Sequence, residues 1–331
     1  MSSSGTGTSF NDSFKACMQL GYLHHVRGMR KRGETFAPPL VVGEAAHKYA
    51  ETIFKGWIAG LTSKPEMLRE EAEAQFDAIV KPYYDQAAGD DLLYAKLNKR
   101  VTSARNVLRI WRDLQWARLE AHVDIPIAAE KDILVEFPAE TRYGPIAPHL
   151  RPFTGRIDLV VERRDGLDAV TRLGVTIRDI KTSSANDLKG MLANHYRSDQ
   201  HLGYAFGWNL EHPYVPDNQC TQVEYEGMRF ADCAINDKSF CNLRRPVRQS
   251  QLDNWYERTM ALRARLSRMW PEPTVFDVRE AWEQNNTNTG PCENFWGKCE
   301  FWDLCENPGD TDAIGPVGSG APFEEHGPVL A

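Results

Sequence analysis

Three residues in this sequence have types and spacing suited to holding a divalent cation. Asp158 stands inside an apolar run, Thr154-Gly155-Arg156-Ile157-Asp158-Leu159-Val160-Val161-Glu162. Asp179 and Lys181 close another, Gly174-Val175-Thr176-Ile177-Arg178-Asp179-Ile180-Lys181. In a strand, alternate side chains share a face, so Val175, Ile177, Asp179 and Lys181 line up. Buried charge is costly unless it is paired or binds a metal, and by itself this strand end reads as a simple Asp–Lys pair. Antiparallel pairing of the two runs would set Asp158 beside Asp179. Adjacent carboxylates repel, which raises a pKa unless a cation lies between them. Oxygen ligands of this kind suit Mg2+ or Mn2+.

These residues need a sheet to hold them, and the patterning supplies one. Strand-like runs cover Ile127 to Phe137, Phe153 to Glu162 and Leu173 to Lys181, separated by Pro, Gly and Asp turns. A further strand is expected over Thr221 to Phe230, with a partner around Phe240 to Pro246. Before the strands come helices: Phe14 to Arg32, with the Pro38-Pro39 pair ending that region, then Val42 to Ala59, Lys64 to Tyr84 and Leu92 to His122. Ala46, Tyr49, Ile53 and Trp57 form one apolar face, and Leu97, Val101, Ala104, Leu108, Trp111 and Leu119 another. Later helices are expected over Ala185 to Leu192, Asp199 to Leu210 and Gln249 to Trp270. Helices, then strands, then mixed elements predict an α+β fold in which a helical insertion wraps a sheet core.

Bulk properties narrow the classes. With 331 residues and 42% hydrophobic content, the chain can bury a real core. No segment has the apolar length of a bilayer span, and the polar start lacks a secretory signal core, so a cytoplasmic location is expected. The net charge of −7 argues against broad electrostatic coating of nucleic acid, although an enzyme needs only a local basic groove. Basic runs at Arg27 to Arg32 and Arg244 to Arg248 read, each alone, as solvated surface. The seven cysteines are an odd number without a secretion signal, which disfavours a disulfide framework. Residues 1–12 and the Gly/Pro-rich 309–331 are expected to be disordered, leaving 13–308 as a single domain. Within it, a helical region spans about 42–122, a sheet core about 123–248 and a C-terminal segment about 249–308.

Asp158 followed by Asp179-Ile180-Lys181 resembles the PD-(D/E)XK nuclease superfamily, with Gly155-Arg156-Ile157-Asp158 similar to the G-x-x-D form of RecB-type exonuclease domains. Gly43-Glu44-Ala45-Ala46-His47 resembles the upstream Gly-x-x-x-His element, in which the His is a metal ligand. Gln200 and Tyr204, four apart on one helix face, resemble the Q-x-x-x-Y element thought to orient the Lys and contact the nucleic-acid backbone. Glu130 matches the acid that related nucleases often carry at the start of the sheet, and reads equally as a solvated glutamate. The resemblance implies a central mixed sheet flanked by helices. It also implies one or two divalent ions held by His47, Asp158, Asp179 and the Ile180 backbone carbonyl. Asp158, Asp179, Lys181, Gln200 and Tyr204 become the catalytic set, with Lys181 orienting or deprotonating the attacking water.

Cys292, Cys299 and Cys305 resemble the C-terminal cysteines of nucleases carrying a [4Fe–4S] cluster, among them CRISPR-associated exonucleases and phage relatives. In those proteins the fourth ligand lies upstream of the Gly-x-x-x-His helix, where Cys17 fits. The six-residue interval between Cys292 and Cys299 in Cys–x6–Cys departs from the common C-x-x-C. Cys220, Cys233 and Cys241 are left as structural or free thiols. The resemblance implies a metal-dependent DNA exonuclease acting on single-stranded ends in recombination, repair or phage DNA processing, within a bacterial, archaeal or phage-infected cell. No P-loop is present, so duplex unwinding would call on a helicase or recombination partner; the oligomeric state is not legible. The alternatives that stay open are a catalytically inactive DNA-binding or adaptor module, a zinc-stapled protein and an RNA-directed nuclease.

Overall fold

The computed structural model describes residues 38–121, 123–164, 172–184, 187–197, 199–213, 218–230, 235 and 237–272, with isolated positions nearer both ends. Cys17, Cys292, Cys299 and Cys305, the expected helix over Phe14 to Arg32 as a whole, and the expected terminal disorder lie outside the described residues. The chain divides into two compact units. One comprises Met1–Thr35, Leu134–Gly155 and Asp253–Ala331; the other comprises Phe36–Ile133 and Arg156–Leu252.

Among the described residues there are six α-helices and a five-stranded mixed sheet. In chain order these are α1 (Pro38–Ile58), α2 (Pro65–Ala87), α3 (Asp91–Glu120), β1 (Asp124–Glu136), β2 (Pro152–Arg164), β3 (Arg172–Ser183), α4 (Leu188–Arg197), α5 (Gln200–Glu211), β4 (Cys220–Arg229), β5 (Phe240–Pro246) and α6 (Gln249–Met269). The sheet order is β1-β2-β3-β4-β5. β3 runs antiparallel to β2 and parallel to β4, and β5 is antiparallel to β4. The parallel β3–β4 step needs a crossover, which α4 and α5 provide. This is the α+β architecture expected from the sequence.

The helix expected from Val42 starts earlier, with Pro38-Pro39 in its first turn. The first helical turn has no use for its backbone N–H groups, so proline fits there and its fixed φ favours the turn. Pro65 opens α2 in the same way, and the Asp90 carboxylate caps α3 by accepting from the Leu92 and Leu93 amides.

In the Phe36–Leu252 unit, α1, α2 and α3 share a core with Leu159, Val161, Ile180 and Met228 of the sheet. The two predicted apolar stripes form its centre: Ala46, Tyr49, Ile53 and Trp57 on α1, and Leu97, Val101, Ala104, Leu108 and Trp111 on α3, are all buried. Each large apolar side chain so enclosed contributes about 1.5–3 kcal/mol. The opposite sheet face receives α4, whose Leu188 and Leu192 press against Gly227; a Cβ there would lie 3.0 Å from Leu188.

Between α3 and the sheet lies a buried ionic lattice. Arg178, 1% exposed, donates to Gln115 Oε1 at 2.9 Å and Asp124 Oδ2 at 2.6 Å, with Glu224 and Glu226 at 3.8 and 3.7 Å. Trp111 Nε1 donates to Glu226 at 2.9 Å, and Arg118 and Arg244 reach Glu224 at 3.2 and 2.6 Å. Every charge is met by an opposite one, as buried ions require.

The other unit has its own core. Phe153 meets Trp255 edge-on and Phe137 stacks on Tyr256. The buried Arg263 guanidinium lies over the Phe137 ring and donates to the Leu150 and Pro152 carbonyls. No helix among the described residues is long and apolar enough to cross a membrane.

Candidate active site

Every described residue of the expected site lies in the Phe36–Leu252 unit. The β2–β3 register pairs Leu159 with Arg178, so one step further Asp158 comes opposite Asp179. The Ile180 backbone N–H donates to Asp158 Oδ2 at 2.7 Å, locking the two strands where the carboxylates meet. Lys181 Nζ stands 2.7 Å from Asp179 Oδ2, two residues along the same face. That oxygen is buried and accepts no well-aligned hydrogen bond. The sheet therefore brings Asp158, Asp179 and Lys181 together.

His47 arrives from α1. Gly43, one turn earlier, rests so close to β3 that a Cβ would lie 3.0 Å from Thr182 Oγ1. That approach sets the helix on the strand and places His47 Nδ1 3.5 Å from Asp158 Oδ1. Glu130 completes the group from β1. Its φ of 50° is a left-handed conformation, uncommon for a residue with a side chain and costly inside a strand. Ligand atoms of His47, Glu130 and Asp158 all lie within 4.8 Å of one another. An imidazole and two carboxylates at that spacing fit a divalent cation.

The electrostatics fit the same occupant. Burial would lower the His47 pKa, but Asp158 outweighs it and raises it. Burial opposes ionisation of Asp158, yet His47, Lys181 and the Ile180 amide hold its carboxyl below the ordinary value. Asp179 is pushed up by burial and by Asp158, against the pull of Lys181. Burial works against the Lys181 charge, and Asp179 and Asp158 overcome it, so the ammonium keeps its proton more tightly than usual. Glu130 rises to about 7, through burial first and then through Asp158 and Glu51. A cation would relieve this mutual repulsion.

Gln200 and Tyr204 lie on one face of α5, where Gln200 Nε2 donates to the Tyr204 hydroxyl at 2.6 Å. Burial, and then Asp179, raises the pKa of that hydroxyl, so it stays a neutral donor beside the carboxylates. Tyr225, paired with Asp179 in the β3–β4 register, places its hydroxyl 3.4 Å from His201 Nδ1 and stacks on His195. Burial lowers both histidines to about 4, which leaves them uncharged at neutral pH. Cys220 is buried and its thiol is pushed up to about 12 by that burial, the behaviour of an inert core residue.

Sequence reasoning missed three neighbours. Glu51, one helical turn beyond His47, is held by Lys48 and Lys55 at 3.0 and 2.7 Å and still raises Glu130. Asp132 and Arg156 pair at 2.7 Å beside Glu130. A signal existed for each: Glu51 repeats the His47 face at a four-residue step, and Arg156 and Asp132 each lie two residues from a site carboxylate along a strand.

A sequence model of the PD-(D/E)XK nuclease superfamily matches residues 11–306, nearly the whole chain. No curated protein sequence matches significantly.

Proposed function

Because the chain belongs to the PD-(D/E)XK nuclease superfamily, whose members are generally metal-dependent nucleases, we propose that it is a divalent-metal-dependent deoxyribonuclease. The observation that carries this reading is the convergence of His47, Glu130 and Asp158 within 4.8 Å, on a sheet that also presents Asp179 and Lys181. His47, Glu130 and Asp158 would hold Mg2+ or Mn2+, with Asp179 and the Ile180 carbonyl as the neighbouring oxygen donors. A divalent ion bound there supplies Lewis acidity toward a phosphoryl oxygen and lowers the pKa of water.

The protein's own residues do the rest. Asp158 and Asp179 would hold the cation, which would supply the positive charge that draws the reacting phosphate to them. Lys181, protonated between two carboxylates, donates a hydrogen bond that orients the attacking water and counters charge gathering on the phosphoryl oxygens. That favours an orienting role over proton abstraction. Gln200 donates to the Tyr204 hydroxyl and fixes its position, while burial keeps that hydroxyl a neutral donor. Water adds to phosphorus and the bond to the leaving oxygen breaks, giving one phosphate monoester and one hydroxyl end.

The finer reading is an exonuclease for single-stranded DNA ends in recombination, repair or phage DNA processing. It rests on the motif order from Gly43 to Tyr204. The [4Fe–4S] assignment to Cys17, Cys292, Cys299 and Cys305 rests on the sequence resemblance alone, and anaerobic purification tests it: broad visible absorption is expected, whereas a colourless protein with stoichiometric zinc would refute it. The activity is tested with 5′- and 3′-labelled single and double strands in Mn2+. Cleavage by the wild type that is lost in Lys181→Ala is expected. Equal cleavage by both would sink the mechanism.

A further inference from the structure

The carboxylate group poses an electrostatic problem for a polyanionic substrate, in a chain whose net charge is already −7. Cations around the group are largely engaged. Lys181 pairs with Asp179, and Lys48 and Lys55 both pair with Glu51. Arg156 differs. It lies two residues before Asp158 on β2, hence on the same face, at a step of about 6.7 Å. Its side chain is 56% exposed, and its Nε donates to Asp132 Oδ1 at 2.7 Å and lies 3.9 Å from Glu130 Oε2. Both contacts use Nε. Among the described residues the two terminal nitrogens make no hydrogen bond to the protein, although Glu51 also attracts the guanidinium.

Stability gives little reason for such an arrangement. Asp132 is 73% exposed, and ion pairs this open contribute about 0–1 kcal/mol. The pair does have a geometric effect: gripping Nε fixes the plane of the guanidinium and leaves its outer fork free of hydrogen bonds to the described residues. A planar fork of N–H donors matches the paired oxygens of a phosphate, and Arg makes this bidentate contact where Lys offers only a point charge.

Building on the nuclease reading above, we propose that Arg156 is a substrate-binding residue whose terminal nitrogens clamp a backbone phosphate of a single strand, next to the phosphate held at the carboxylates. Asp132 is its positioning residue. The fork stands beside the ligand group instead of within it, so the clamp selects the backbone and not the base, and it registers the strand relative to Asp158.

Binding of a short fluorescent single-stranded oligonucleotide with phosphorothioate linkages, measured by anisotropy in Ca2+ over a salt series, tests this. Cation affinity by calorimetry and thermal melting are measured on the same samples. Arg156→Ala is expected to weaken binding about tenfold and to lower the salt slope by about 0.7, one phosphate contact on a single strand, with cation affinity and melting unchanged. Arg156→Lys keeps the slope and recovers part of the affinity. Asp132→Asn weakens binding less and leaves the slope intact. Wild-type affinity and slope in Arg156→Ala overturn the clamp. So does a binding loss that appears only together with lost cation affinity or lost stability, since Arg156 would then serve Glu130 alone. A wild type that neither binds nor cleaves any nucleic acid in any divalent ion removes the nuclease reading, and the clamp with it.

Discussion

The Nζ of Lys181 stands 2.7 Å from Oδ2 of Asp179 on one face of β3; the carboxylates keep the ammonium protonated, and the ammonium offsets part of the burial and Asp158 repulsion that push the Asp179 carboxyl up. Removing the ammonium therefore changes two properties in opposite directions. Lys181→Ala should lower cleavage by about 10²–10⁴, the usual contribution of a positioned proton donor or acceptor. It should also tighten Mn2+ binding, because the carboxylates lose their internal counter-charge. Asp158→Asn should abolish both cleavage and tight Mn2+ binding. Single-turnover rates and calorimetric titration separate the two effects.

Glu130 carries left-handed strain in a strand in order to face His47 and Asp158. Asn tolerates that conformation better than Glu and lacks the charge. Glu130→Asn should stabilise the ion-free protein by about 1 kcal/mol while weakening Mn2+ binding. Denaturant unfolding with and without Mn2+ checks this; a variant that is both less stable and equally metal-avid contradicts it.

The pH dependence of the ion-free protein follows from the same residue. Glu130 titrates at about 7 instead of 4.5. A carboxyl with a raised folded pKa favours the folded state while protonated. Its contribution is complete below 4.5 and is lost as pH rises through about 7. Wild type should lose stability relative to Glu130→Gln across that window. Ion binding runs the other way, since it requires the carboxylate: Mn2+ affinity should rise up to about tenfold per pH unit below that pKa and then level off. Melting curves and Mn2+ titrations over the window give both slopes.

The lattice behind β3 predicts acid sensitivity of opposite sign. Burial opposes the Glu224 charge, but Arg178, Arg118 and Arg244 hold its pKa at about 2. Its stabilisation is present above 4.5 and is lost as pH falls toward about 2. Glu224→Gln should cost about 3–5 kcal/mol at neutral pH, because it leaves Arg178 under-compensated. The gap from wild type should narrow in acid, which denaturant titrations at neutral and acidic pH measure.

How much of this the sequence made legible depended on periodicity. The stripes through Tyr49 and Trp57, and through Leu97 to Trp111, located α1 and α3 because one buried face repeats every three or four residues. The register of Asp158 against Asp179 followed from two apolar runs joined as neighbours. Glu130 stayed open between a metal-binding acid and a solvated glutamate, because its position depends on a positive φ that no side-chain pattern announces. Arg178 is buried, which its residue type does not announce. Its partners come from α3, β1 and β4, and only the spacing of Glu224 and Glu226 about the buried Tyr225 hinted at a charged inner face. Arg156 carried no role of its own within Gly155-Arg156-Ile157-Asp158, since its significance lies in which of its nitrogens Asp132 occupies.

The alternation along β3 has a consequence for anyone scanning this protein by mutation. Arg178 enters the ionic lattice, Asp179 faces the ligand group, and Ile180 packs its side chain into the helical core while its amide holds Asp158. A saturation library selected for activity would show three consecutive intolerant positions, and tolerance profiles would tell them apart. Position 180 should accept other aliphatics. Position 178 should be rescued by second-site changes at Glu224 or Glu226. Position 179 should have no suppressor, because in the proposed mechanism it serves the reaction and not the scaffold.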